Sequence, residues 1–90
     1  MEKVLISIEV SKPYAHWKNV FDSLESERVK VGIKNIYVGH ETENEKKCYI
    51  LFEVSNPEVL KKFMSDSKNA ARMNEAGLIR ESSKITFCSD

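Results

Sequence analysis

The sequence predicts an α+β fold of order βαββαβ: one four-stranded antiparallel sheet with two helices on a single face. Three observations predict it. First, two segments alternate with a period of two, as strands do. Val4, Ile6, Ile8 and Val10 oppose Leu5, Ser7 and Glu9; Cys48, Ile50, Phe52 and Val54 oppose Tyr49, Leu51 and Glu53. Second, two stretches carry apolar residues at helical spacing, one from Tyr14 and one from Leu60. Third, Pro, Gly and Asn fall where such elements should start and stop.

In chain order, residues 3–10 read as a strand rich in Val and Ile. Ser11-Lys12-Pro13 ends it and opens a helix, with Pro13 at or near the first helical position. Tyr14, Trp17, Phe21 and Leu24 form its apolar stripe, with Val20 beside them, and Gly32 stops it. Residues 33–41 form the second strand, with Ile36 and Val38 on one face and Tyr37 on the other. Thr42 to Lys46 is a polar hairpin connection, and residues 47–54 are the third strand. Asn56-Pro57-Glu58 is an N-cap, a first-turn proline and a first-turn acid. The helix it starts buries Leu60, Phe63 and Met64 and breaks at Ser65-Asp66-Ser67. A second helical piece carries Ala70, Ala71, Met73 and Ala76, and Gly77 ends it. Residues 84–88 are the last strand, with Ile85 and Phe87 on the apolar face. This is the split ferredoxin-like pattern, whose sheet runs in spatial order four, one, three, two. The first and third strands, the most apolar, fit its central positions.

Composition narrows the function classes. Ninety residues read as a single domain spanning 1–90. A chain of this size buries a smaller share of its surface than a large one, and dimerisation is a common remedy. Fourteen basic residues balance fourteen acidic ones, with pI near 6.7, so no charge excess draws the chain to nucleic acid or an anionic membrane. The opening Met1-Glu2-Lys3, followed by a strand pattern, does not read as a secretory signal. Two cysteines are too few for a disulfide scaffold, and a reducing cytoplasm is the expected setting.

Helices cover one face of the sheet. The other, with Leu5, Ser7, Tyr49, Leu51 and Thr86, is half apolar and half polar. It is too apolar for bulk water and too polar for a dry core, so it is expected to meet the same face of a second copy in a homodimer. An RNA-recognition module shares the topology but presents several stacking aromatics on its central strands and is usually basic. Here Tyr49 stands alone on those strands and the net charge is zero.

Such a chain resembles the dimeric α+β barrel superfamily, in which two sheets pack face to face across a dimer. That resemblance implies company with cofactor-free monooxygenases, small isomerases and stress-response proteins. More narrowly, an ordered series of short matches is similar to a short cyanobacterial family of unknown function. It runs Trp17-Lys18 with Phe21-Asp22, Gly32-Ile33, Tyr37-Val38-Gly39, Leu51-Phe52-Glu53-Val54, Lys62-Phe63-Met64, Glu75-Ala76-Gly77 and Ile85-Thr86-Phe87. The haem-degrading members use an Asn on the first strand and a His on the second helical segment. Here Ser7 stands on that strand and residues 57–76 hold no His, so no haem, and no other cofactor, is expected.

Topology gathers Tyr14, His16, Trp17, His40, Cys48 and Met73 at one edge. Parity turns His40 and Cys48 toward the helices, opposite each other if the hairpin is symmetric. A Cys beside a His can make a thiolate nucleophile; the simpler reading is a small buried hydrophobe. Tyr14 and Trp17 fit either a core or a ligand pocket, and the wheel puts His16 in solvent. Glu9 and Glu53 could act as an acid–base pair but fit a wet interface equally well. Lys68 and Arg72 read as a solvated helix face. The candidate ligand site is therefore Tyr14, Trp17, His40 and Met73, with His40 as the proton-transferring or hydrogen-bonding group. No phosphate loop, zinc spacing or catalytic triad is present. Two function classes follow. The favoured one is a non-catalytic dimeric binding or structural module. The other is a cofactor-free enzyme or a binder of a small apolar or aromatic molecule, with a pocket between sheet and helices.

Overall fold

The computed structural model describes residues 2–89; Met1 and Asp90, the ends of the expected domain, lie outside them. The elements are β1 (Glu2–Val10), α1 (Tyr14–Ser23), α2 (Glu25–Lys30), β2 (Ile33–Glu41), β3 (Asn44–Val54), α3 (Pro57–Ser65), α4 (Ser67–Glu75) and β4 (Leu78–Cys88). The sheet is antiparallel with order β2-β3-β1-β4, the expected ferredoxin-like arrangement. Both expected helices are present on one face, each divided into two pieces.

Capping explains the divisions. Asn56 accepts hydrogen bonds from the Glu58 and Val59 N–H groups and starts α3. Asp66 closes α3 with extended backbone and accepts from Lys68 and Asn69 at the start of α4. The expected single helix from Tyr14 to Gly32 is instead broken at Leu24. There the backbone leaves helical geometry and the N–H donates to Phe21, three residues back. Pro13, expected at the first helical position, sits one step earlier as the N-cap and has no side-chain acceptor to offer. Glu45 from the hairpin supplies one, accepting from the Tyr14 N–H at 3.2 Å. Gly32 and Gly77 both close helices at positive φ, 90° and 96°, a region that favours glycine.

Register sets the two faces. Toward the helices, Phe87–Val4–Phe52–Asn35 and Ile85–Ile6–Ile50–Val38 form successive cross-strand rows. The open face carries Thr86–Leu5–Leu51–Tyr37, flanked by Lys84–Ser7–Tyr49–Gly39 and Cys88–Lys3–Glu53–Lys34.

Three expectations for the strands are corrected. Ile36 was expected in the buried row with Val38. A bulge between Asn35 and Tyr37 leaves it without a partner in the ladder, and it is 43% exposed. The hairpin turn is Thr42-Glu43, because pairing extends β3 back to Asn44. The last strand starts at Leu78, six residues earlier than expected, and pairs Leu78 and Ile79 with Val10 and Glu9 before a bulge. Ser82 bridges that bulge: its hydroxyl accepts from the Glu9 N–H at 2.8 Å and donates to the Ile79 carbonyl. A polar run over residues 80–84 hides this strand from a hydrophobic pattern. Ile85 and Phe87 face the helix side as expected but stay partly exposed, with Lys61 of α3 over the Phe87 ring at 5.9 Å.

Cys48 and Cys88 are both free thiols. Cys48 pairs with Ile8 in a helix-side row, and Cys88 pairs with Lys3 on the open face.

Candidate functional site

The helix stripe and the sheet floor do not close completely on each other. Between them is a cavity of about 190 Å³. Ile6, Ile50 and Phe52 form its floor; Trp17, Phe21 and Met64 are among its helical walls. An aromatic column runs along one side. Trp17, fully buried, stacks on Phe21 at 4.9 Å between ring centroids, and Phe21 lies parallel to Phe52 at 6.0 Å. Arg28 of α2 covers the far side of this column, with its guanidinium carbon 3.9 Å from the centre of the Phe21 ring.

The cavity wall is mostly hydrocarbon, yet two of the residues that line it carry polar atoms without partners. Trp17 Nε1 and Arg28 Nε and Nη2 are buried and make no hydrogen bond. Buried polar groups are nearly always paired, and an unpaired one carries its desolvation cost uncompensated. Burial lowers the Arg28 pKa from its ordinary value, partly offset by the charges of Glu25 and Asp22. Asn35 Oδ1 is also buried and unpaired, but Asn35 does not line the cavity.

The four candidate ligand residues fall into two groups that share Trp17. Trp17 and Met73 line the cavity. Tyr14 packs against Trp17 at 5.7 Å and edge-on against His40 at 4.5 Å, but neither Tyr14 nor His40 lines the cavity. The His40 ring is on the exposed hairpin side, with Nδ1 2.7 Å from the Glu41 carbonyl. A carbonyl only accepts, so Nδ1 carries the proton. Burial raises the Tyr14 pKa.

His40 and Cys48 are opposed in the β2–β3 ladder, but the thiol is fully buried and donates weakly to the Glu45 carbonyl at 3.7 Å. Burial, with a smaller contribution from the Glu45 charge, pushes the thiol up to about 11. At neutral pH it is a protonated core residue. A raised folded-state pKa holds its stabilisation in full below the unfolded value near 9.0 and loses it as pH climbs through about 11. About 2–3 kcal/mol of folding stability is therefore expected to disappear between pH 9 and 11. In urea denaturation across that window, Cys48→Ala should lack this component, whereas equal slopes for variant and parent would place the titration elsewhere.

The remaining polar candidates have partners or lie in solvent. Glu53 is ion-paired with Lys3 at 3.0 Å, which holds its carboxyl below the usual range, and Glu9 faces Lys47 across the ladder. His16 is exposed, with Nε2 3.1 Å from the Glu75 carbonyl. Arg72 donates to the Ser23 hydroxyl, and Lys68 is exposed. On the open face Leu5 is 50% exposed, Tyr49 and Thr86 are exposed, and Ser7 and Leu51 are half-buried.

Arg28 escaped the sequence reading. Its signal was present: Trp17, Phe21, Leu24 and Arg28 continue one stripe at spacings of four, three and four, so the stripe ends in a charge that must also be buried.

A four-stranded antiparallel sheet in the order β2-β3-β1-β4 with helices on one face is a ferredoxin-like fold. The chain belongs to the family described as "Domain of unknown function (DUF3764)", whose model matches residues 1–90. Among solved structures it is similar to SnoaB, a cofactor-independent oxygenase from Streptomyces nogalater. That match has TM-score 0.73 and 9% identity and covers 99% of this chain and 91% of that one. A conserved protein from Methanosarcina mazei Go1 matches at TM-score 0.70 and 22% identity, covering 99% and 91%. An antibiotic biosynthesis monooxygenase matches at 0.72 and 12%, covering 100% and 98%. At these identities the likeness is one of fold. No curated protein matches the chain.

Proposed function

We propose that this protein is a small-molecule-binding module that holds a largely apolar ligand in the cavity between sheet and helices and works as a homodimer. One observation carries the reading: an apolar cavity lined by Trp17 and Arg28, two residues with buried, unpartnered hydrogen-bond donors. Apolar pockets with a few convergent polar groups are the usual form of ligand sites. An engineered cavity of about 150 Å³ in another protein takes up benzene, so this one suits a molecule built on a single ring.

Binding is favoured over acid–base catalysis because Arg28 and Arg80 are the ionisable residues that line the cavity, and arginine does not exchange its proton near neutral pH. The cofactor-free enzyme reading draws its support from the fold shared with SnoaB. For it, Trp17 and Met73 would contact the substrate, while Tyr14 and His40 act from the hairpin side.

The homodimer reading rests on the open face. Leu5, Tyr37, Tyr49 and Leu51 form a contiguous apolar and aromatic strip there, bordered by Lys3, Glu53 and Lys84. Ser7 and Thr86 complete the proposed interface. A cytoplasmic setting, a cyanobacterial source and the absence of nucleic-acid or membrane partners belong to the same proposal and rest on the sequence reading.

The test uses the single tryptophan, Trp17, as a reporter. One-ring aromatic probes added to the protein should change Trp17 fluorescence saturably and raise the melting temperature. No saturable response to charged or neutral probes would refute ligand binding in this cavity.

A further inference from the structure

We infer that the cavity ligand is a monocarboxylic acid with an apolar body of about one aromatic ring, whose carboxylate is received by the Arg28 guanidinium. This rests on the ligand-binding reading above and names the ligand's chemical class.

Arg28 is 3% exposed and lines the cavity, yet none of the ion pairs among the described residues includes it. Arginine is rarely buried without a partner. Glu25 and Asp22 act on it through their charge without bonding to it. The guanidinium carbon lies 3.9 Å from the centre of the Phe21 ring and 5.6 Å from that of Phe52. The two unpartnered nitrogens are Nε and Nη2, which present parallel N–H bonds along one edge, the geometry that a carboxylate accepts as a bidentate pair.

Trp17 carries a third unpartnered donor. Trp17 Nε1 is also buried and unpartnered, and its ring stacks on the same Phe21 at 4.9 Å. Every orphaned polar atom on a cavity-lining residue is therefore a donor. The complementary ligand brings acceptors, and a charged one offsets the desolvated guanidinium as well. Phe21, Phe52 and the volume set the rest of the molecule as a ring-sized apolar body.

The experiment compares phenylacetate with phenylacetamide, a neutral molecule of nearly the same shape, by Trp17 fluorescence and calorimetry on the full chain at pH 7. Phenylacetate is expected to bind at least about tenfold more tightly. Arg28→Met should reduce that preference to near unity while melting at the same temperature or higher without ligand, because it removes an unpaired buried charge. Arg28→Lys should keep part of the preference, since it keeps the charge but loses the fork. Equal affinity for acid and amide in the parent protein would overturn the carboxylate assignment and leave cavity binding intact. A preference that survives Arg28→Met would overturn the role of Arg28 and point to Arg80. Failure of both probes to bind would overturn the ligand reading and this inference together.

Discussion

Trp17→Ala is expected to lose about 3–5 kcal/mol of folding stability, the range for deleting a large buried aromatic. Trp17 is fully buried and is the member of the aromatic column that touches Tyr14 on one side and Phe21 on the other. It also forms part of the wall of an existing cavity. Removing the indole enlarges that space, and the strands below have little room to collapse, which places the cost toward the upper end. A native domain of 90 residues has only roughly 5–13 kcal/mol in total. The variant should therefore unfold at much lower urea concentration, or fail to fold near 37 °C. A loss below about 1 kcal/mol would mean that Trp17 is not the packing centre described here. Trp17→Phe keeps an aromatic ring on Phe21 and should recover much of the loss, while removing the indole donor.

Leu51→Arg is expected to turn the homodimer into a monomer. Leu51 lies in the middle row of the open face, between Leu5 and Tyr37, on one of the two central strands. A two-fold interface across this face would bring that row against its own copy, so each substitution would bury two like charges near the axis. Uncompensated buried charge costs several kcal/mol, enough to outweigh the surplus of a modest interface. A specific interface of this kind buries at least about 1,000 Å² in total. Light scattering at micromolar concentration should give twice the 10.4 kDa chain mass for the parent and the single mass for the variant. A parent that already scatters as a monomer would contradict the interface, as would a variant still at twice the mass.

Much of this fold was legible in the sequence because strand parity and helix punctuation are local signals. Alternation alone set the two faces of β1 and β3, and Asn56, Asp66, Gly32 and Gly77 marked helix ends through capping chemistry and positive φ. What escaped depends on pairing between distant segments. The bulge that frees Ile36 and brings Asn35 into the buried row is fixed by the partner strand. So is the early start of β4, where Leu78 and Ile79 add to the sheet ahead of a polar run. Leu24 fits the stripe of a continuous helix, and nothing in its residue type announces the break.

The site was legible in part. Topology brought Tyr14, Trp17, His40 and Met73 to one region, and contacts link Tyr14 to both Trp17 and His40. Parity could not say where packing would leave space, and the cavity extends from Trp17 under α2, α3 and α4 rather than toward the hairpin. Arg28 was overlooked because a charged residue at the end of an apolar stripe reads as a solvent boundary. Its burial becomes apparent only once Phe21 and Phe52 are placed beneath it.

The measurement that bears most directly on ligand binding is the ¹⁵N–¹H correlation spectrum of the protein titrated with phenylacetate. Trp17 supplies the sole indole N–H signal, and Arg28 contributes an Nε–H signal that becomes visible when held. Both should shift saturably, and the amides of Thr42 and Glu43 in the hairpin turn, which do not line the cavity, should stay in place. An indole signal that does not move, or shifts confined to the open face, would contradict ligand binding between sheet and helices.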